Sequence, residues 1–267
     1  MKFYKEEIKN VTPGDVSLEE HYHIWSPESI RRFWTIWANN KRLSQQFYPE
    51  EYYENLFSRL PAFINKSASV VDIGCGTGTV LSVLERLKVG QSFVGVDLSE
   101  ESISELQKKF RGESRFTFKV GSFSHIPLED NIYDVVTCTE VLEHLFPDDI
   151  EKGLKEVARV LRKGGFFIAT VPIGEKVNFV VCPECQAIFT PFQHMLFEFT
   201  EEYLENELEK HGLKLIQFVY PVNTKRPNSL IKHVLKNKIM IPLFPKVARK
   251  IFPIAGITGF VAIKKGT

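Results

Sequence analysis

The sequence predicts an open α/β sheet with helices on both faces, and two observations lead to that prediction. A short apolar run, residues 70–73, is followed by glycines at alternate positions and then by apolar residues at helical spacing. This pattern indicates a buried parallel strand, a tight turn and the start of a helix, which is how doubly wound sheets build nucleotide sites. Strand-like and helix-like segments then alternate along the chain. At 267 residues the chain can bury one sizeable core.

The glycine-rich turn carries the clearest chemical signal. Gly74, Gly76 and Gly78 permit positive φ and let the backbone approach a ligand closely. Asp72 places a carboxylate two residues before the first of these glycines. The spacing G-x-G-x-G differs from the dinucleotide-binding G-x-G-x-x-G, and an acidic residue at the turn repels a pyrophosphate. The turn therefore favours a cationic or zwitterionic ligand.

A series of blocks along the chain resembles the class I S-adenosylmethionine (SAM) dependent methyltransferases. The segment D-I-G-C-G-T-G at residues 72–78 looks like motif I of that family. The blocks that follow in the family's order are residues 92–97, 115–134, 135–145 and 154–172. The resemblance covers about residues 67–222 and the last ten. It implies a doubly wound, seven-stranded, mostly parallel sheet and an enzyme that uses SAM.

The N-terminal region precedes the first strand and is rich in aromatic residues. Ser26 and Pro27 are typical of a helix start, which predicts an amphipathic helix over residues 29–39. In similar methyltransferases such an extension packs over the cofactor cleft; the alternative is that the aromatic residues form ordinary core. The predicted division is a helical cap at residues 1–66 and a SAM-binding methyltransferase domain at residues 67–267.

The resemblance implies a set of cofactor contacts at the ends of the predicted strands. Asp97 follows the glycines by about 20 positions, where a carboxylate can accept bonds from both ribose hydroxyls. The family commonly has an acidic residue at the position of Ser122, which is a weaker, neutral acceptor for the adenine amine. Phe123 offers a backbone N–H to the ring and Ile126 an apolar wall. The expected contacts are Asp72, Gly74, Cys75, Gly76, Asp97, Leu98, Ser122, Phe123 and Thr139.

The remaining elements follow from caps and periodicity. Further helices are predicted at residues 80–87, 99–110, 147–161 and 200–210. The third of these is expected to end in a basic turn at Arg162 and to stop at the two glycines that follow. Further strands are predicted at residues 166–171, 213–220 and 257–264, the last two as an antiparallel pair at the sheet edge. The roughly 34 residues between that pair exceed a hairpin loop and predict an insertion at about residues 223–256.

Glu140, Glu143 and His144 follow the fourth predicted strand at i, i+3, i+4 spacing. They share one face if a helical turn begins at once. Three interpretations are open: a general base for the acceptor, a hard-metal site, or a structural turn with Glu140 near the methionine moiety. E-V-L-E-H occurs in similar methyltransferases that act on quinols, while small-RNA 3′-end methyltransferases use E-x-x-E-H with a further histidine to bind a divalent ion. We expect Glu140 and His144 to be catalytic.

A cysteine pair follows the fifth predicted strand. Cys182 and Cys185 have the C-x-x-C spacing of many zinc sites, and His194 lies nine residues on. The alternatives are idle thiols and a redox pair, although the thioredoxin-like context of a redox pair is missing. Sugar and cell-surface methyltransferases of similar layout often carry a cysteine pair and a histidine here. The sequence predicts zinc bound by Cys182, Cys185 and His194, with the fourth ligand open.

The net charge of +1 hides an asymmetry along the chain. Residues 210–267 carry 12 Lys and Arg and no Asp or Glu, whereas the preceding residues carry 22 basic and 33 acidic side chains. The predicted insertion combines these cations with apolar residues, which favours either an anionic membrane surface as a partner or a lid over the protein's own sheet. The absence of a signal pattern or membrane-length apolar run predicts a cytoplasmic protein, peripheral to the membrane if the insertion docks there.

Together these features predict a SAM-dependent methyltransferase. Its acceptor is expected to be a hydroxyl or other nucleophile on a small molecule, a glycan or a lipid-linked compound. A metal-assisted RNA methyltransferase and a non-catalytic SAM-binding protein are the alternatives. Nucleic acid is not favoured because no RNA-binding module is evident, although the basic tail would suit it. The sequence leaves the oligomeric state open.

Overall fold

The computed structural model describes residues 25–40, 50–173, 180–181, 188–190, 199–219 and 256–266. The helices are α1 (Pro27–Asn39), α2 (Glu50–Phe57), α3 (Thr79–Arg86), α4 (Glu100–Lys109), α5 (Pro147–Val160) and α6 (Glu201–Lys210). The strands are β1 (Ser69–Ile73), β2 (Ser92–Asp97), β3 (Phe116–Val120), β4 (Tyr133–Thr139), β5 (Leu161–Ile173), β6 (Val180–Val181), β7 (Ile188–Phe189), β8 (Leu213–Val219) and β9 (Gly256–Lys264). A short 3₁₀ turn, Leu142–His144, lies between β4 and α5.

Seven of the described strands form one sheet in the order β3-β2-β1-β4-β5-β9-β8. Strands β1 to β5 pair in parallel, and β9 pairs antiparallel with both β5 and β8. The strand order reverses between β1 and β4, because the chain runs outward from β1 in one direction and from β4 in the other. Ligands of open α/β sheets bind at such a switch point, beside the carboxyl ends of the strands. This arrangement confirms the predicted fold.

The core lies on both faces of the sheet. Successive strand residues enter different hydrophobic clusters: Val70 packs on the face covered by α2, α3 and α4, and Val71 on the face covered by α5 and α6. Phe167 and Ile168 of β5 divide between the two faces in the same way. This alternation is the period of two that a pleated strand imposes. The prediction of helices on both faces is confirmed.

The N-terminal region is helical where it is described. Ser26 caps α1 by accepting a hydrogen bond from the Ser29 N–H at 3.2 Å, as its sequence predicts. Helix α2 buries Leu56 and Phe57 in the core beside the sheet. Arg86 of α3 lies 2.6 Å from a carboxylate oxygen of Glu50 on α2. Helix α2 is therefore part of the α/β layer structure.

The predicted end of the helix α5 is wrong. The helix stops at Val160, and the next residue, Leu161, already pairs with Tyr133 in the sheet. Arg162 lies in β5, where its guanidinium binds the Asp134 carboxylate, instead of forming a basic last helical turn. Gly164 adopts φ +76, within the stretch where the pairing register of β4 and β5 shifts. The basic residues and glycines therefore form an irregular start to the strand.

Candidate functional site

A cavity of about 280 Å³ opens at the carboxyl ends of β1, β2 and β4, next to the switch point of the sheet. The expected cofactor contacts all line it: Asp72, Gly74, Cys75, Gly76, Asp97, Leu98, Ser122, Phe123 and Thr139. Glu140 and His144 line it as well. The fold thus brings together residues from four separate sequence blocks. Their individual roles remain predictions.

The glycine turn at the end of β1 is shaped by packing and by backbone conformation. Gly74 has φ +74, and a Cβ added there would lie 2.4 Å from Cγ2 of Val141. Gly76 has φ +48, and a Cβ there would meet nothing within 4 Å. Because Gly76 lines the cavity, that open space is room in which a ligand can approach the backbone. Position 74 requires glycine because Val141 leaves no room for a side chain, whereas the absence of a side chain at Gly76 leaves open space in the cavity.

Asp97 ties the end of β2 to the glycine turn. Its Oδ2 accepts the Gly76 N–H at 2.8 Å, and its Oδ1 accepts the Ser99 N–H at 2.9 Å. Burial raises the pKa of this carboxyl, and the N–H donors of Ser99 and Gly76 oppose the increase. Each carboxylate oxygen has a second lone pair, so the group can still accept bonds from ligand hydroxyls.

Asp72 is the most deeply buried carboxyl group of the site, with 1% of its surface exposed. Its Oδ1 accepts a hydrogen bond from Oγ1 of Thr137 at 2.7 Å. Burial raises the pKa of Asp72 to about 7, against the lowering effect of the Thr137 bond, and the nearby Asp97 adds to the increase. The group is therefore close to half-protonated at neutral pH. A cation bound beside it would favour the ionised form.

The block after β3 forms a tight turn at the cavity wall. Ser122 and His125 exchange backbone hydrogen bonds of 3.0 and 3.1 Å, and this holds Ser122 and Phe123 at the wall. Ile126 does not line the cavity and instead lies in the hydrophobic core, so its predicted role as an apolar wall is wrong. Phe123 rests on Gly153 of α5, where an added Cβ would lie 1.8 Å from the ring.

We expect Gly153→Ala to destabilise the protein, although the same change in an ordinary helix interior is worth about 1 kcal/mol of stabilisation. The added methyl group must displace the Phe123 ring, and overpacking of this kind costs about 1–3 kcal/mol. Chemical denaturation of the variant and of the exposed helix control Lys152→Ala would measure the difference. A Gly153→Ala variant more stable than the wild type would contradict this packing.

Glu140, directly after β4, is held in a left-handed conformation with φ +56. Its backbone N–H donates to Oγ1 of Thr170 at 3.1 Å, and the same hydroxyl donates to Oε1 of Glu140 at 2.7 Å. Thr170 lies in β5 and is fully buried. Left-handed backbone at a residue other than glycine is costly and is typical of functional sites. The Thr170 hydroxyl therefore fixes both the backbone and the carboxylate of Glu140.

Glu143 and His144 lie in the 3₁₀ turn, and both are buried. His144 Nε2 is 3.9 Å from a carboxylate oxygen of Glu143, and the His144 ring is 4.7 Å from the Trp34 ring. Of these two side chains, that of His144 lines the cavity. The expected cluster on one helical face does not form, because Glu140 turns toward Thr170. Within the described ranges no group of three or more His, Cys, Asp or Glu side chains could hold a metal ion, so the hard-metal interpretation gains no support.

The cavity residues that the sequence did not identify as site residues include four from the two N-terminal helices. Ile30, Trp34 and Trp37 lie on one face of α1 and form a wall of the cavity. Tyr53 of α2 reaches the cavity with its hydroxyl hydrogen-bonded to the Thr139 side chain, and burial raises the pKa of this phenol. The aromatic content of the N-terminal region was the available signal. Sequence alone could not separate the cavity-lining aromatics from those in the core.

The predicted zinc ligands Cys182, Cys185 and His194 lie outside the described residues, as does the basic insertion apart from Gly256. The two strands that precede and follow the cysteine pair in sequence, β6 and β7, pair antiparallel with Val181 opposite Ile188. No helix in the described ranges is long and apolar enough to cross a bilayer.

Comparison with known proteins gives a family match. Residues 71–169 match the family model described as a methyltransferase domain. The phthiotriol/phenolphthiotriol dimycocerosates methyltransferase of Mycobacterium tuberculosis is 32% identical over 120 residues, which are 45% of this chain and 43% of that protein. The chain spans between 30% and 60% of the length of the curated relatives compared.

Solved structures share the fold at low sequence identity. A methyltransferase in complex with the Haloferax volcanii Trm112 methyltransferase activator aligns with a TM-score of 0.63 and 19% identity, over 87% of this chain and 98% of that chain. The Burkholderia thailandensis 1,6-didemethyltoxoflavin-N1-methyltransferase, solved with S-adenosylhomocysteine, aligns with a TM-score of 0.59 and 16% identity, over 91% and 90%. Residues 71–169 therefore match a methyltransferase domain, and the seven-stranded sheet has the fold of the class I methyltransferases.

Proposed function

We propose that the protein transfers a methyl group from SAM to a hydroxyl or other nucleophile of a small-molecule, glycan or lipid-linked acceptor. One observation carries the proposal: the cavity at the switch point is lined by the glycine turn, by Asp72 and Asp97, and by Glu140 and His144. A candidate cofactor site and a candidate proton acceptor therefore line the same cavity. The match of residues 71–169 to a methyltransferase domain supports the same activity.

The residues of the cavity fit SAM. The open space at Gly76 lets a ligand contact the backbone, and the Asp97 carboxylate suits ribose hydroxyls. Asp72 and Asp97 together form an acidic environment that attracts a sulfonium or ammonium group and repels a pyrophosphate. The Burkholderia thailandensis structure contains the demethylated form of this cofactor, S-adenosylhomocysteine.

When bound, SAM supplies a methyl group that is already activated by its sulfonium charge. The task left to the chain is to orient the acceptor for in-line attack and to receive the acceptor's proton. We assign proton transfer to His144 and Glu140, which both line the cavity. Thr170 holds Glu140, and Trp34 of α1 packs against the His144 ring.

The class of acceptor is a narrower part of the proposal. The Mycobacterium tuberculosis relative is named for a lipid substrate, and the Burkholderia thailandensis protein for a small heterocycle. The basic, apolar insertion at about residues 223–256 would suit an anionic membrane surface from which a lipid-linked acceptor is drawn. Metal-assisted RNA methylation is not favoured, because the described acidic residues of the site do not group as metal ligands.

Calorimetric titration tests the cofactor site. SAM and S-adenosylhomocysteine are expected to bind with a stoichiometry of about one per chain, and NAD⁺ is expected to bind at least about tenfold more weakly because its pyrophosphate meets Asp72 and Asp97. Comparable binding of NAD⁺, or no binding of either SAM or S-adenosylhomocysteine, would overturn the proposal.

The affinity for SAM should depend on pH through Asp72, whose pKa of about 7 lies above its ordinary value of 3.8. In the ligand-free protein, the stability contributed by this raised pKa is fully present below about pH 4 and is lost as the pH rises through 7. A cationic ligand prefers the ionised form, so affinity should rise about tenfold between about pH 6 and pH 8. Calorimetry on the wild type and on the isosteric control Asp72→Asn decides this: the wild type should show the pH dependence and the variant should not.

Zinc remains a proposal for Cys182, Cys185 and His194. Elemental analysis of protein purified without chelators is expected to give about one zinc ion per chain, and none in Cys182→Ser/Cys185→Ser, because thiolates would be the main ligands. Cys138, a buried thiol of β4, provides a matched control: Cys138→Ser should keep the metal. Metal-free wild-type protein whose melting temperature does not change on addition of zinc would contradict the zinc site.

A further inference from the structure

One end of the cavity is not lined by the expected cofactor contacts. This acceptor end is bounded by Trp34 and Trp37 of α1, by Tyr53 of α2, and by Glu140 and His144 after β4. We infer that it accepts a flat aromatic alcohol or amine, uncharged or cationic, and excludes anionic acceptors. The inference rests on the proposed function, because it names the substrate class of the same site.

Aromatic rings form one wall of the acceptor end. Trp34 and Trp37 have ring centroids 6.4 Å apart, and Trp34 also contacts the His144 ring at 4.7 Å. Phe33 supports both indoles from behind, with ring centroids 5.0 and 5.5 Å away. These ring contacts fix the indoles in position, so the wall is a preformed aromatic surface. Aromatic surfaces favour flat rings, through offset or edge-to-face contact, over saturated groups of equal size.

The charged side chains that line the cavity are acidic. The carboxyl groups that line the cavity are those of Asp72, Asp97 and Glu140, and no Lys or Arg is found among the lining residues in the described part of the chain. SAM brings a net charge of about +1, so the loaded cavity remains negative in balance. A phosphate or carboxylate on the acceptor would be repelled by these carboxylates, whereas an uncharged or protonated group would not.

Polar side chains line the same cavity as the aromatic wall. His144 contacts the Trp34 ring directly, and the Glu140 carboxylate is fixed by Thr170. A ring that lies on the indoles can therefore direct a hydroxyl or amino substituent toward this pair. An aliphatic sugar alcohol could reach the same polar groups but would gain little from the aromatic wall.

A matched set of probes tests the inference on protein saturated with S-adenosylhomocysteine. The probes are 2-naphthol, which is flat and uncharged, 2-naphthyl phosphate, which is flat and anionic, and decahydro-2-naphthol, which is uncharged but not flat. Calorimetry should show 2-naphthol binding at least about tenfold more tightly than either of the others. If 2-naphthol does not bind, or if 2-naphthyl phosphate binds as tightly, the inference is wrong.

Variants show whether the aromatic wall is responsible. Trp34→Ala should weaken 2-naphthol binding about tenfold, and Trp34→Phe should restore most of it. Ile36→Ala is the control on the same helix, because Ile36 is 56% exposed and does not line the cavity. Equal affinity in the wild type and Trp34→Ala would overturn the inference. Failure of S-adenosylhomocysteine itself to bind would instead refute the proposed function, so the two failures are distinguishable.

Discussion

Asp97→Ala and Gly76→Val are each expected to reduce the affinity for SAM at least about tenfold, or ~1.4 kcal/mol. The alanine removes the carboxylate that accepts the Gly76 N–H at 2.8 Å and that is expected to bind the ribose. The loss of a charge-assisted acceptor alone accounts for a change of this size. The valine introduces a branched side chain at φ +48 and fills the open space beside the turn. Calorimetry with S-adenosylhomocysteine measures both effects.

Gly112→Val is the matched control for Gly76→Val. Gly112 also has positive φ, at +89, and also has nothing within 4 Å of an added Cβ, but it does not line the cavity. The two valines therefore impose similar backbone strain in different places. Gly112→Val should retain the affinity of the wild type. Equal losses in the two glycine variants would mean that strain, and not the cavity, explains the effect.

Loss of the Glu140–His144 pair should reduce methyl transfer by about 10²–10⁴-fold, the usual range for general acid–base catalysis. Glu140→Gln and His144→Asn each remove a proton acceptor; the first keeps the size of the side chain and the second keeps a polar group. The affinity for S-adenosylhomocysteine should stay within about threefold of the wild type, because neither residue is among the expected cofactor contacts. The rate is measured as formation of S-adenosylhomocysteine with an acceptor that the wild-type protein methylates.

Variants of Thr170 test whether this residue acts by positioning Glu140 for proton transfer. Thr170→Val removes the hydroxyl that bonds both the backbone and the carboxylate of Glu140, and should lower the rate while leaving cofactor affinity unchanged. Thr170→Ser keeps the hydroxyl and should restore the rate. A full rate in Glu140→Gln and His144→Asn would show that the pair has only a structural role at the turn.

The sequence predicted the sheet and the cofactor side of the cavity because both depend on local patterns. Short apolar runs between turn residues identified the strands, and the helix cap Ser26 stands where it was expected. The glycine turn and Asp97 lie in one cavity because strand ends meet at one edge of a parallel sheet. The end of α5 was mispredicted because pairing between Leu161 and Tyr133 takes over from helix propensity at that point.

The acceptor side of the cavity could not be predicted in the same way. Glu140 was expected to share a face with Glu143 and His144, but its position depends on Thr170, a residue thirty positions away on the neighbouring strand. Tyr53 reaches the cavity through the packing of α2 against the sheet. Such contacts join distant parts of the chain, and spacing along one segment carries no information about them.

The measurement that tests the central claim most directly is an incubation of the purified protein with SAM carrying a labelled methyl group and a panel of hydroxylated and amino aromatic acceptors. Mass spectrometry would follow both products. We expect an acceptor to gain the labelled methyl group while an equal amount of S-adenosylhomocysteine forms, and both to disappear in His144→Asn. Tight binding of SAM with neither product, across acceptors of every charge class, would contradict the account and would identify a SAM-binding protein without catalytic activity.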